Sequence, residues 1–106
     1  MTDHAIYTLA GEAQNYDDRE AFCSDGALSS CFPEDQDMGE AYKMCGIIWD
    51  AINKPIAEIR RAMGLTQAQM AERLCVPKRT LENWEYKGTC PVYVRILIAR
   101  VWMGLE

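Results

Sequence analysis

Few side chains in this chain of 106 residues have the type and spacing to do chemistry, and the pattern excludes most kinds. There is no glycine-rich phosphate loop, metal-ligand spacing or nucleophile–base pair. The acids Glu34, Asp35 and Asp37 imitate a divalent-metal cluster but sit in an ordinary acidic, loop-like stretch. Five cysteines (23, 31, 45, 75 and 90) form no C-x-x-C pair, and the only histidine is His4. An odd count at irregular spacing fits reduced structural thiols better than a disulfide framework or a zinc site. Neither catalysis nor a cofactor or metal is therefore expected. What remains is hydrogen-bonding chemistry. Lys78, Arg79, Thr80, Asn83 and Lys87 crowd one short stretch. Arg79 and Asn83 are four apart, so they share one face if that stretch is helical.

The residues around them supply the helices. Thr66 can cap a helix, with Gln69 three residues on in capping-box spacing. Met70, Ala71 and Leu74 then form an apolar face. Cys75-Val76-Pro77 cannot continue that helix, because Pro77 lacks an amide hydrogen and disfavours helical geometry at Val76. Lys78 to Tyr86 resumes helical spacing, with Leu81, Trp84 and Glu85 at i, i+3 and i+4. By its spacing Trp84 is expected in the core. Two helices joined by a short break, the second carrying polar side chains, make a helix-turn-helix over 66–86.

The stretch from about Pro55 to Pro91 resembles the Cro/repressor-type (XRE-like) helix-turn-helix of bacterial and phage DNA-binding proteins. The matching residues are Leu65-Thr66-Gln67, Ala71, Leu74, Val76, Leu81 and Trp84-Glu85. Cys75 stands where the family usually has glycine, and Pro77 rather than serine opens the second helix region. A cysteine held left-handed costs about 1 kcal/mol. The resemblance implies an all-α, lambda-repressor-like domain whose partner is double-stranded DNA. Carried over by the motif, the first, second and sixth residues of the second helix, Lys78, Arg79 and Asn83, face base edges. The chemistry suits them, since Lys and Arg donate to guanine and Asn pairs bidentately with adenine. Gln67, Thr80 and Lys87 are the implied backbone contacts. Glu82 either accepts from cytosine or pairs with Lys78 or Arg79. Arg60, Arg61 and Arg73 are expected to face solvent, with phosphate contact as a second reading.

Overall charge argues the other way. A formal charge of −5 and a pI near 4.8 are unlike those of a typical nucleic-acid binder. The charge is unevenly spread: residues 1–45 hold ten acidic and two basic side chains, whereas residues 46–106 hold six acidic and nine basic. Such asymmetry marks a basic functional half and an acidic half with another job, either engaging a protein partner or shielding the basic half. The opening Met1-Thr2-Asp3-His4 lacks a basic region followed by an apolar core, so a cytoplasmic protein is expected.

Residues 1–36 are read as an acidic, less regular extension, with Ala5–Leu9 a strand or helical turn, Asp17–Cys23 a short helix and Ser24–Asp37 a loop. Residues 37–106 are read as the helical domain, with five helices. Asp37 caps the first of these, which runs to about Asn53 and turns Ala41, Met44, Cys45, Ile48, Trp49 and Ile52 to a core. Pro55 opens the next, lined by Ile56, Ile59, Met63 and Leu65 and ended by Gly64. The last, from Val92 to about Met103, is apolar nearly all round and must be covered on more than one side. One cover is the helix-turn-helix core, and the other is either the 37–53 helix or a second subunit; a homodimer would double the site read.

Two functions fit. The first is a sequence-specific DNA-binding protein, a small transcriptional regulator of repressor or antitoxin-like type. The second is a protein-interaction module on the same fold that does not bind DNA, motivated by the overall acidity and by Glu82 and Glu85.

Overall fold

A computed structural model describes residues 2–104. Among these residues the regular elements are helices alone: α1 (Asp3–Ala13), α2 (Arg19–Ala27), α3 (Met38–Asn53), α4 (Ile56–Ala62), α5 (Gln67–Leu74), α6 (Lys78–Lys87) and α7 (Val92–Trp102). Among the described residues no helix is long and apolar enough to cross a membrane. Packing divides the chain into two units, Met1–Asn53 and Lys54–Glu106.

In the first unit α3 packs against both α1 and α2. The extension read from sequence as less regular therefore holds two capped helices. Thr2 Oγ1 accepts from Ala5 N at 3.1 Å, and Asp18 accepts from Ala21 N at 3.1 Å. α1 buries Ala5, Ile6, Leu9, Ala10 and Ala13, one helical stripe. α2 starts later and runs further than the expected Asp17–Cys23, so the connecting loop shortens to 28–37. Asp37 caps α3 as expected, accepting from Glu40 N at 3.0 Å. The apolar face of α3 packs on α1 and α2, with the Trp49 ring 5.6 Å from that of Phe22, and Phe22 and Ile6 are fully buried. The boundary expected at 36/37 is thus a loop inside this unit, and the division falls at 53/54. Gly26 permits the close approach of α2 to α3, since a Cβ there would sit 2.8 Å from Cys45 Sγ. Burial pushes the Cys23 thiol up, and pushes Cys45 up to about 12. Both are therefore protonated at neutral pH, which makes them packing residues rather than nucleophiles.

In the second unit α5 packs against α6 and α7, and α4 against α6. Ile56, Ile59, Met70, Ala71, Leu74, Leu81, Val94, Ile96, Ile98 and Ala99 form its core. α4 ends at Gly64, left-handed at φ 73°, with Leu65 N donating to Arg60 O at 3.2 Å and Gly64 N to Arg61 O at 3.0 Å. α5 ends in the same Schellman pattern, with Val76 N on Ala71 O at 3.0 Å and Cys75 N on Glu72 O at 3.1 Å. Here the left-handed residue is Cys75, at φ 57° and ψ 41°, the only non-glycine with positive φ among the described residues. Relieving it is worth about 1–2 kcal/mol, offset by about 0.5–1 kcal/mol of extra backbone freedom in glycine. Cys75→Gly is accordingly expected to raise Tm by a few degrees in a thermal melt. A lower Tm would mean that the turn is not strained.

Candidate nucleic-acid interface

The recognition stretch is assembled from the turn outward. Thr66 and Gln69 form a reciprocal capping box, with Gln69 N on Thr66 Oγ1 at 3.1 Å and Thr66 N on Gln69 Oε1 at 2.9 Å. That fixes where α5 begins, and the left-handed Cys75 fixes where it ends. Pro77, at φ −62° and ψ 143°, then aims the chain into α6. No side chain caps α6, so its positive end opens directly at Lys78 and Arg79.

What holds α6 in place is an ion pair that no local pattern announces. Arg60 on α4 meets Glu85 on α6 as a fork, Nε to Oε2 at 2.9 Å and Nη2 to Oε1 at 3.2 Å. The remaining Arg60 nitrogen, Nη1, donates to Leu65 O at 3.0 Å, and Gln67 Nε2 donates to Glu85 Oε1 at 3.3 Å. The Arg60 and Glu85 side chains are only 15% and 9% exposed, so the pair is largely dry and its hydrogen bonds are charge-assisted. Three helices thereby converge on one carboxylate. This corrects two expectations. Arg60 does not face solvent, and Glu85 is a compensated structural group rather than a loose negative charge. Leu81 is the fully buried anchor of α6, whereas Trp84, expected in the core, is only half-buried. Three residues beyond Leu81, it lies at the margin of the packed face.

The face that carries Arg79 and Asn83 is open, and Lys78, in the first turn and seven residues before Glu85, is exposed as well. Arg79 and Asn83 share a face by their i, i+4 register. Lys78 lies 3.8 Å from Glu82, both about half exposed, which favours the helix-pairing reading of Glu82. Of the expected backbone contacts, Lys87 is exposed and Thr80 half-buried. Gln67 is half-buried and turned to Glu85, with one amide N–H beyond that bond. Arg61 is exposed. Sequence reasoning passed over Tyr86, which is 91% exposed and follows Arg79 and Asn83 at i+7 and i+3. That register was the available signal. Charge concentrates here as well, since residues 54–106 carry nine basic and five acidic side chains. Among the described residues no group of three or more His, Cys, Asp and Glu is placed to hold a metal.

Residues 56–91, about a third of the chain, match the sequence model of the Helix-turn-helix family. No curated protein and no solved structure matches the chain. The matched span runs from the first residue of α4 to the proline before α7, and so takes in the Arg60–Glu85 fork, the Cys75 turn and the whole of α6. Family match, helix order and turn geometry agree: residues 56–91 form a helix-turn-helix, similar to that of the Cro/repressor (XRE-like) type.

Proposed function

We propose that this protein binds double-stranded DNA in a sequence-specific way and regulates transcription, as a repressor or in antitoxin-like fashion. The observation that carries the reading is that Lys78, Arg79 and Asn83 are all exposed on α6, a helix held to its unit by Leu81 and the Arg60–Glu85 fork. In the major groove Lys78 and Arg79 would donate to guanine edges and Asn83 would pair with adenine. Gln67, Thr80 and Lys87 would set the register on phosphates. Selection from a random duplex pool by the full chain tests this. Enrichment of one short motif supports it, and failure to enrich any motif refutes it. The alternative of a protein-interaction module is weakened in one of its two grounds, because Glu85 is paired with Arg60 and Glu82 lies beside Lys78.

A homodimer suits this function, since two copies double the base pairs read. α7 offers a surface for it: Val92, Tyr93 and Leu97 are 43%, 65% and 40% exposed. Leu97→Asp is expected to shift a sedimenting dimer to monomer, and unchanged sedimentation of a dimeric parent would exclude α7 as the interface.

The first unit carries eleven acidic and two basic side chains. Its proposed roles are to engage a protein partner and to repel non-specific DNA. Because α3 packs on α1 and α2, deleting residues 1–36 would strip α3, so neutralisation is the cleaner test. Changing the exposed Asp17, Glu20, Glu34 and Asp35 to Asn or Gln is expected to tighten binding to random duplex about two- to ten-fold at low salt. Unchanged affinity would remove the shielding role.

A further inference from the structure

The loop between α2 and α3 exposes apolar surface that the DNA-binding reading does not use. It is a built segment: Ser29 Oγ donates to Gly26 O at 2.6 Å, Cys31 N donates to Ser29 Oγ at 3.3 Å, and Gln36 N donates to Pro33 O at 3.0 Å. Phe32 is plugged into the first unit at 8% exposed. Against Phe32 and Pro33 lies a cleft of about 550 Å³ whose wall includes Leu28 and Met38. Those two side chains remain 75% and 50% exposed, large apolar groups left in water along one concavity. A cleft of this volume falls within the range of ligand-binding clefts. A second cleft, of about 490 Å³, shares Ser30, Phe32, Pro33 and Gln36 with the first and is lined also by Ala5 and Thr8 of α1.

The charge around the cleft selects the occupant. Glu34 lines it, no Lys or Arg does, and Asp35, Asp37 and Glu40 are exposed in the adjoining chain. The unit as a whole has nine more acidic than basic side chains. A nucleic acid is repelled by such a surface, and an acidic peptide likewise. A polypeptide with apolar anchors flanked by lysine or arginine satisfies both features: the anchors cover Leu28 and Met38 while the cations meet the acids and steer the encounter. We propose that this cleft is a docking site for a basic, amphipathic segment of a partner protein. The proposal rests on the reading that the acidic half engages a partner, and it assigns the place and the chemistry.

The test uses the full chain and a synthetic Leu/Lys amphipathic helix, with the matching Leu/Glu helix as control, measured by isothermal titration. The Leu/Lys peptide is expected to bind and the Leu/Glu peptide not to. The double variant Leu28→Asp/Met38→Asp, at exposed positions, is expected to keep the parent Tm and to bind the Leu/Lys peptide at least ~10-fold more weakly, because the anchors lose their apolar seat. Glu34→Lys/Asp35→Lys is expected to weaken it as well, and to lessen its salt dependence. If both double variants bind as the parent does, the cleft is not the site, although an acidic partner-binding half survives. If the Leu/Lys peptide does not bind, or the Leu/Glu peptide binds equally, the partner reading itself fails. Arg79→Ala is expected to leave peptide binding unchanged, which keeps this result independent of DNA binding.

Discussion

Glu85→Ala is expected to cost about 3–5 kcal/mol of unfolding free energy, because it strands the Arg60 guanidinium in a largely dry position. Arg60 would keep only its bond to Leu65 O, and Gln67 would lose its acceptor. Glu85→Gln keeps the shape and one acceptor oxygen and should cost less. The double variant Arg60→Ala/Glu85→Ala should cost clearly less than the two single changes together, since each single change leaves an uncompensated charge that the double does not. Urea unfolding followed by circular dichroism measures all four proteins. A loss below about 1 kcal/mol for Glu85→Ala would place the pair among ordinary surface salt bridges, and the fork would not be what positions α6.

Arg79→Ala/Asn83→Ala is expected to do the reverse: little loss of stability and a large loss of DNA affinity. Both side chains are exposed, so each change should alter stability by less than ~0.5 kcal/mol. Each bidentate base contact is worth about 1–3 kcal/mol, and contacts to separate base pairs add roughly, so the pair should cost about 2–6 kcal/mol against the selected site. Specificity should relax at the two base pairs these residues face, while affinity for random duplex falls less. A double variant that binds the selected site like the parent would mean that α6 is not the reading helix, and the interaction-module function would then move ahead.

What the sequence made legible follows from the range of the forces involved. The capping box at Thr66 and Gln69, the stop at Cys75, Pro77 and the burial of Leu81 are decided within one or two helical turns. All of them stand where the residues placed them. The Arg60–Glu85 fork spans 25 residues of sequence, and nothing near Arg60 distinguishes it from Arg61, which does face solvent. Trp84 lies on the apolar side of α6 by register, but register gives direction and not depth. α1 escaped for a different reason. Its buried stripe is helical in period, yet three of its five members are alanine, so the hydrophobic contrast is faint. The unit boundary followed composition in the sequence reading, which put it where the acids and turn residues cluster. In the folded chain the apolar face of α3 decides it, by packing on α1 and α2, and a face does not state its partner.

The most direct test of the account is the affinity of the full chain for a labelled duplex carrying the selected motif, read by fluorescence anisotropy across a series of salt concentrations. In the proposed complex, where Lys87 would meet a phosphate, log K is expected to fall linearly with log salt, with a slope of roughly −0.9 for each phosphate neutralised. The Lys87→Ala variant should make that slope shallower by about one phosphate. A flat salt dependence, or no binding at the lowest salt, would contradict DNA recognition through α6.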